Sequence, residues 1–135
     1  MKPSLAAGLE ATTTFTIDRE RTIDFMGDAA RVYATPMLVR DLEIACRELI
    51  LPHLDAGEDT VGTRVEIDHI GATLLGMTVW LTVRVLEVNG RAVVFEVEGK
   101  DAVEPIVRGR HHRFVVDIAK TGQRLAAKAT KAAGA

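Results

Sequence analysis

A chain of 135 residues with a net charge of −2 and one cysteine is expected to fold as a single domain, long enough to bury a core without disulfides or a structural metal. That charge balance offers no electrostatic basis for nucleic-acid binding, and the lone Cys46 excludes a disulfide framework or a cysteine-based zinc site. No apolar run approaches the ~20 residues of a membrane span, and the first residues lack a signal-peptide pattern, so the expectation is a soluble cytoplasmic protein.

Residues 1–10 are small and mixed and read as a loose arm. Ala11–Ile17 (A-T-T-T-F-T-I) is β-branched and alternating, which predicts a strand with Thr13, Phe15 and Ile17 on one face. Asp18–Ala34 divides between short extended pieces, Arg21–Ile23 and Arg31–Tyr33, and a helical turn or loop near Met26–Ala30. The stretch Thr35–Leu51 (T-P-M-L-V-R-D-L-E-I-A-C-R-E-L-I-L) then predicts the one long helix, with Thr35 as cap, Pro36 at the first helical position and Pro52 as the stop. Leu38, Leu42, Ala45, Cys46 and Leu49 form an apolar stripe, widened by Val39 and Ile50. Met37 and Ile44 make even the back of the helix partly apolar, as expected of a helix with structure around it.

Beyond a polar loop at Leu54–Thr60, period-two patterning returns. Val61–Ala72 predicts a strand with Val65, Ile67 and His69 on the inner face, followed by a turn at Thr73–Gly76. Met77–Val88 and Arg91–Lys100 are two strands joined by Asn89-Gly90, a strong hairpin signal. Val79, Leu81, Val83 and Val85 face inward on the first of them; Val93, Phe95 and Val97 do so on the second. Ile106–Ile118 is the last strand, basic in its first half (R-G-R-H-H-R). The tail from Lys120 onward, rich in Ala and Lys, reads as frayed helix or disorder. One domain over 1–135, with loose tails at 1–10 and 120–135, has an α+β layout: an antiparallel sheet with one long helix against it.

Three residues carry the candidate chemistry. Glu43 sits at the rim of the apolar stripe, where a carboxylate needs a partner because burying it alone costs several kcal/mol. His69 is placed inward, with a side chain that titrates near neutral pH. Thr35 stands at a helix start, where unpaired backbone N–H groups favour negative charge. Each also has a purely structural reading: Thr35 as helix cap, Glu43 as an i,i+4 partner of Arg47, and His69 as a satisfied core histidine. His111 and His112 are adjacent on a strand, point to opposite faces and make a poor metal pair. No P-loop, dinucleotide-binding loop or G-x-S-x-G elbow occurs.

The three acquire specificity from their context: V-Y-A-T-P at the helix start, L-E-x-A-C within it, P-H-L-D-A-G-E-D-T-V-G-T before the strand, H-I-G-A-T-L-L-G-M-T-V at its end, and G-R-H-H-R in the last strand. This pattern resembles the fluoroacetyl-CoA thioesterases of the hotdog thioesterase superfamily, from roughly Phe15 to Ile118. The resemblance implies a hotdog fold, in which the sheet wraps the long helix, and a homodimer that hydrolyses a small acyl-CoA. It also implies a catalytic set of Thr35, Glu43 and His69, with Gly62 and Arg113 contacting substrate. Coenzyme A enters as part of the substrate; no cofactor or metal is implied, and no nucleic-acid or membrane partner. Arg108, Arg110, Arg113 and the Lys-rich tail are candidate docking charges for its phosphates, or else an ordinary solvated basic edge.

One departure concerns substrate choice. The family places phenylalanines over the site upstream of the threonine, and here Met26 and Ala29 stand at those positions, with Phe25 one residue out of step. The hydrolytic residues therefore carry over better than the fluoroacetyl preference. Rival readings are a non-hydrolytic acyl-CoA or small-ligand binder and a hydratase on the same fold.

Overall fold

The computed structural model describes residues 1–135. Its elements in chain order are β1 (Glu10–Thr16), α1 (Thr35–Ile50), β2 (Glu58–His69), β3 (Thr78–Asn89), β4 (Ala92–Asp101), β5 (Pro105–Asp117) and α2 (Ile118–Ala133), with single 3-10 turns at Arg19–Arg21, Asp28–Ala30 and Leu51–His53. Each expected strand and the long helix is present, with ends displaced by a few residues. The strands form one antiparallel sheet in the order β1-β3-β4-β5-β2. α1 lies between the strands at the two edges, so the chain must carry it across one face of the sheet.

The inward alternation places Val79, Leu81, Val83 and Val85 of β3, and Val93, Phe95 and Val97 of β4, under that helix. All are buried in one core with Leu38, Leu42, Ala45, Cys46 and Ile50 of α1. The apolar stripe is thus the buried face, although Leu49 is only half-buried. The back of the helix is not covered within one chain: Arg40, Ile44 and Glu48 are exposed, Ile44 by 45%. Asp41, which an apolar-stripe reading passes over, is buried beside Leu42.

The turn expected at Thr73–Gly76 does not join neighbouring strands. β2 pairs with β5, whereas β3 pairs with β1 and β4, so residues 70–77 carry the chain across the end of the sheet. Two bonds hold that crossing in place: buried Thr73 donates its hydroxyl to Asp101 at 2.9 Å, and its carbonyl accepts from the N–H of Tyr33 at 2.8 Å. The Asn89-Gly90 hairpin forms as expected, with Gly90 at φ +58°, the positive angle that its tight turn requires. Gly109 is demanded by proximity instead, since a Cβ there would lie 2.1 Å from the carbonyl oxygen of Glu66 on β2.

A bulge between Gly62 and Arg64 shifts the phase of β2. One added residue flips the alternation of a strand. Gly62 consequently lies opposite buried Arg113, on the same side of the sheet as Val65, Ile67 and His69.

The tails differ from the loose segments expected. Leu5 is buried in the core cluster, and the terminal ammonium of Met1 pairs with Asp55 and Glu58. Residues 118–133 are helical, started by Asp117, whose carboxylate accepts from Lys120 N–H at 2.9 Å, but no residue of α2 is buried. No helix of the chain is long and apolar enough to cross a membrane.

Because Leu42 is 3% exposed at the centre of the helix–sheet contact, Leu42→Ala is expected to lower unfolding free energy by about 2–5 kcal/mol, the range for large-to-small core truncations. Denaturant titration measures this, and a loss below ~0.5 kcal/mol, less than such truncations cost, would place the helix outside the core.

Candidate active site

Thr35 is not the cap of α1. Ala34 holds that place: the N–H groups of Met37 and Leu38 both bond its carbonyl at 3.0 Å, and its own N–H is tied to Arg21 O at 2.8 Å. The Thr35 hydroxyl makes no capping bond and instead lies 2.8 Å from Nδ1 of His69. The N–H of Thr35 has no backbone acceptor, and it sits at the positive end of the helix dipole.

His69 ends β2, in register with Val107 of β5. Its ring stands edge-on to Tyr33, with centroids 6.4 Å apart at 80°. Nε2 is buried and has no hydrogen-bond partner. Burial holds the imidazole below its ordinary pKa, more than the nearby carbonyl of Gly71 offsets. The ring is therefore neutral near pH 7 and able to accept a proton. Together with Ile23, Val32, Tyr33 and Ile70, Thr35 and His69 line a cleft of about 340 Å³.

Glu43 does not join this pair within one chain. It lies eight residues beyond Thr35, about 12 Å along the helix axis at 1.5 Å per residue. Nor is it the partner of Arg47, whose guanidinium makes two bonds to Asp59, at 2.8 and 2.7 Å. Glu43 sits instead beside Gly62 and Arg113. A Cβ built on Gly62 would be 3.4 Å from Glu43 Oε1, 3.4 Å from Arg113 Nη1 and 3.2 Å from His111 Cε1. The five expected residues thus resolve into two half-sites, Thr35 with His69 and Glu43 with Gly62 and Arg113. Gly62 and His69 are separated by seven residues of β2, about 23 Å at strand spacing.

The second half-site contains a residue that the sequence reading set aside. His111 is 2% exposed, with Nδ1 2.8 Å from the carbonyl of Arg64. A carbonyl only accepts, so Nδ1 carries the proton and Nε2 is the acceptor for Arg113 Nη1 at 3.2 Å. Arg113 also donates Nε to Thr60 Oγ1 at 2.8 Å and Nη2 to Thr60 O at 2.9 Å. Its guanidinium is buried, and no carboxylate lies within 4.0 Å of it to form a salt bridge. Burial weakens its hold on the proton, and the charge of Glu43 is the first influence that restores it. Cys46 is near both, but burial pushes its thiol up to about 12, so it is no nucleophile. The available signal was the inward position of His111, two residues before Arg113 on the same strand face. No group of three or more His, Cys, Asp or Glu is placed to hold a metal ion.

The fixed tautomer has a consequence for stability. Burial holds His111 below the ordinary histidine pKa, so the unfolded chain binds a proton more readily than the folded one. Its contribution is fully present above the unfolded value of about 6.5 and is lost as the pH falls towards the folded value. His69 adds in the same direction. Unfolding free energy measured from about pH 8 to about pH 5 is expected to decline below the histidine range. His111→Gln, whose amide offers both a donor and an acceptor, should flatten part of that decline. An unchanged pH slope in this variant would contradict the neutral-tautomer assignment.

The family model for fluoroacetyl-CoA-specific thioesterases matches residues 17–119. The fluoroacetyl-CoA thioesterase of Streptantibioticus cattleyicolor is 30% identical over 127 residues, covering 89% of this chain and 91% of that relative. A Thermus thermophilus protein of the thioesterase superfamily superposes with a TM-score of 0.90 at 29% identity, over 100% of both chains. A hot-dog-like protein from Thermanaerovibrio acidaminovorans, at 23% identity, shares the fold with a TM-score of 0.84, over 94% of this chain and 93% of its own. The chain belongs to the fluoroacetyl-CoA-specific thioesterase family and has its hotdog fold.

Proposed function

We propose that this chain hydrolyses a small acyl-CoA thioester to the free acid and coenzyme A, with His69 as the proton acceptor. The observation that carries this reading is the 2.8 Å contact between Thr35 Oγ1 and His69 Nδ1, a nucleophile–base geometry at a helix start able to stabilise an oxyanion. Coenzyme A is substrate here, and no further cofactor is needed. The pair serves either Thr35 as nucleophile or a water that Thr35 holds for attack. Mass spectrometry of acid-quenched enzyme separates the two, because only the first adds an acyl group to Thr35.

Glu43, Gly62 and Arg113 reach this site through a second copy of the chain. β2 is a twelve-residue edge strand, and Val61 and Val65 on it are 45% and 41% exposed. An unpaired edge of that length, with two exposed valines, is a template for strand pairing. A two-fold antiparallel pairing through the neighbourhood of Val65 and Glu66 sets His69 of one copy near Gly62 of the other, on strands about 5 Å apart. Both residues lie on the helix side of the sheet, so two complete sites form per homodimer.

The acyl pocket lacks an aromatic cover. Phe25 is 77% and Met26 58% exposed, Ala29 is exposed, and none of the three lines the cleft at Thr35 and His69. A panel of acyl-CoAs assayed with a free-thiol reagent is expected to show acyl groups bulkier than fluoroacetyl turned over at least as well. A strong preference for fluoroacetyl-CoA over acetyl-CoA would contradict this.

In the same assay His69→Ala is expected to lower kcat by about 10²-fold or more, the usual loss on removing a general base. Adding Glu43→Ala should then remove little further rate, because members of one catalytic unit are non-additive. A folded His69→Ala protein with the original rate would end the proposal, as would acyl-CoA binding with no thiol release by the native enzyme.

A further inference from the structure

The residue behind His69 is held more firmly than packing alone requires. Tyr33 is 2% exposed, and its phenol donates to Asp41, itself buried within α1. The same carboxylate accepts Arg21 Nε at 2.9 Å and Nη2 at 3.3 Å, and Arg40 Nη2 at 3.3 Å. Both its oxygens are thereby satisfied by charged or phenolic donors, an arrangement that holds geometry tightly. Arg21 in turn lies 4.6 Å over the ring of Phe15, which meets Tyr33 edge-on at 6.2 Å. The other edge-on neighbour of Tyr33 is His69, at 6.4 Å. Arg21 also fixes the backbone between them, since its carbonyl accepts the N–H of Ala34, the residue before Thr35.

We propose that Tyr33 is a positioning residue of the site, its hydroxyl anchored on Asp41 and Arg21 so that its ring holds the His69 imidazole against Thr35. The inference deepens the thioesterase reading and rests on it for its kinetic test. The Tyr33 hydroxyl is committed to Asp41, and the ring stands edge-on to His69. Tyr33 acts through His69, and the anchor works because Asp41 and Thr35 ride on the same helix. A misplacement of about 1 Å at a reacting group costs up to about 10²-fold in rate, so a loosened imidazole has room for a large effect.

The test is Tyr33→Phe, which keeps the ring and deletes only the hydroxyl, together with Asp41→Asn, which deletes the charge. Each is expected to lower kcat by roughly tenfold, within that range, and to leave KM for the acyl-CoA within about twofold, since the anchor bears on His69 rather than on binding. The double variant should be no slower than the worse single, because both changes act on the same Tyr33–Asp41 contact. In a His69→Ala background, Tyr33→Phe should leave the residual rate unchanged. A purely structural role predicts otherwise: a lowered Tm, with kcat unaffected below it or reduced equally in both backgrounds, and either result overturns the proposal. A second readout needs no turnover. In protein labelled with 15N-histidine, His69 is expected to show one resolved tautomer that becomes averaged in Tyr33→Phe. If the native enzyme releases no thiol from any acyl-CoA yet this change occurs, the thioesterase reading fails and the positioning role stands. Unchanged His69 resonances would overturn the positioning role whatever the activity.

Discussion

The hydrogen bond between Thr35 and His69 joins residues 34 apart in the chain, and most of the architecture bears on keeping them together. Thr35 is carried by a helix whose other face is sunk into the sheet through Leu38, Leu42, Cys46 and Ile50. His69 is the last residue of β2, just before the chain leaves the sheet edge to cross to β3. That crossing is itself tied to the helix approach, because the carbonyl of Thr73 holds the N–H of Tyr33. Core burial, strand order and one loop contact therefore meet at a single pair of atoms.

The two half-sites of the chain differ in their electrostatics. Around Thr35 and His69 the groups are neutral, and burial keeps the imidazole unprotonated. Around Glu43 a buried guanidinium is braced by Thr60 and by a neutral His111, whose tautomer the Arg64 carbonyl dictates. In the proposed site, a neutral base and a charged polar pair are complementary parts, since a proton must move and negative charge must develop on oxygen. In the proposed homodimer the exposed edge of β2 is the surface that combines them.

Local patterning revealed much of this. The apolar stripe of α1, the inward residues of β3 and β4, the Asn89-Gly90 hairpin and the inward position of His69 all follow from period and turn chemistry. Other features depend on distant contacts that period cannot report. The position of β2 beside β5 rather than β3 is a matter of strand order. The phase of Gly62 depends on a bulge that the period-two pattern passes over, although a glycine within a strand is a signal for one. The cap moved from Thr35 to Ala34 because Arg21 holds Ala34 and His69 competes for the threonine hydroxyl. The burial of Asp41 depends on Tyr33 and Arg21, which reach it from a segment outside the helix and leave no mark on the helical period. The separation of Glu43 from His69 was the least legible feature, since sequence motifs give the order of residues and not the distance between them in the fold.

The central claim is that each site draws His69 from one copy and Glu43 from another, and active-site complementation tests it most directly. His69→Ala and Glu43→Ala proteins, each nearly inactive alone, are mixed and allowed to exchange subunits. A heterodimer then holds one site with both native residues and one with neither. Random exchange makes half the dimers mixed, so the account predicts recovery to roughly a quarter of native acyl-CoA hydrolysis, as two-fold symmetry requires. A mixture that exchanges subunits and stays at the level of its parents would contradict it.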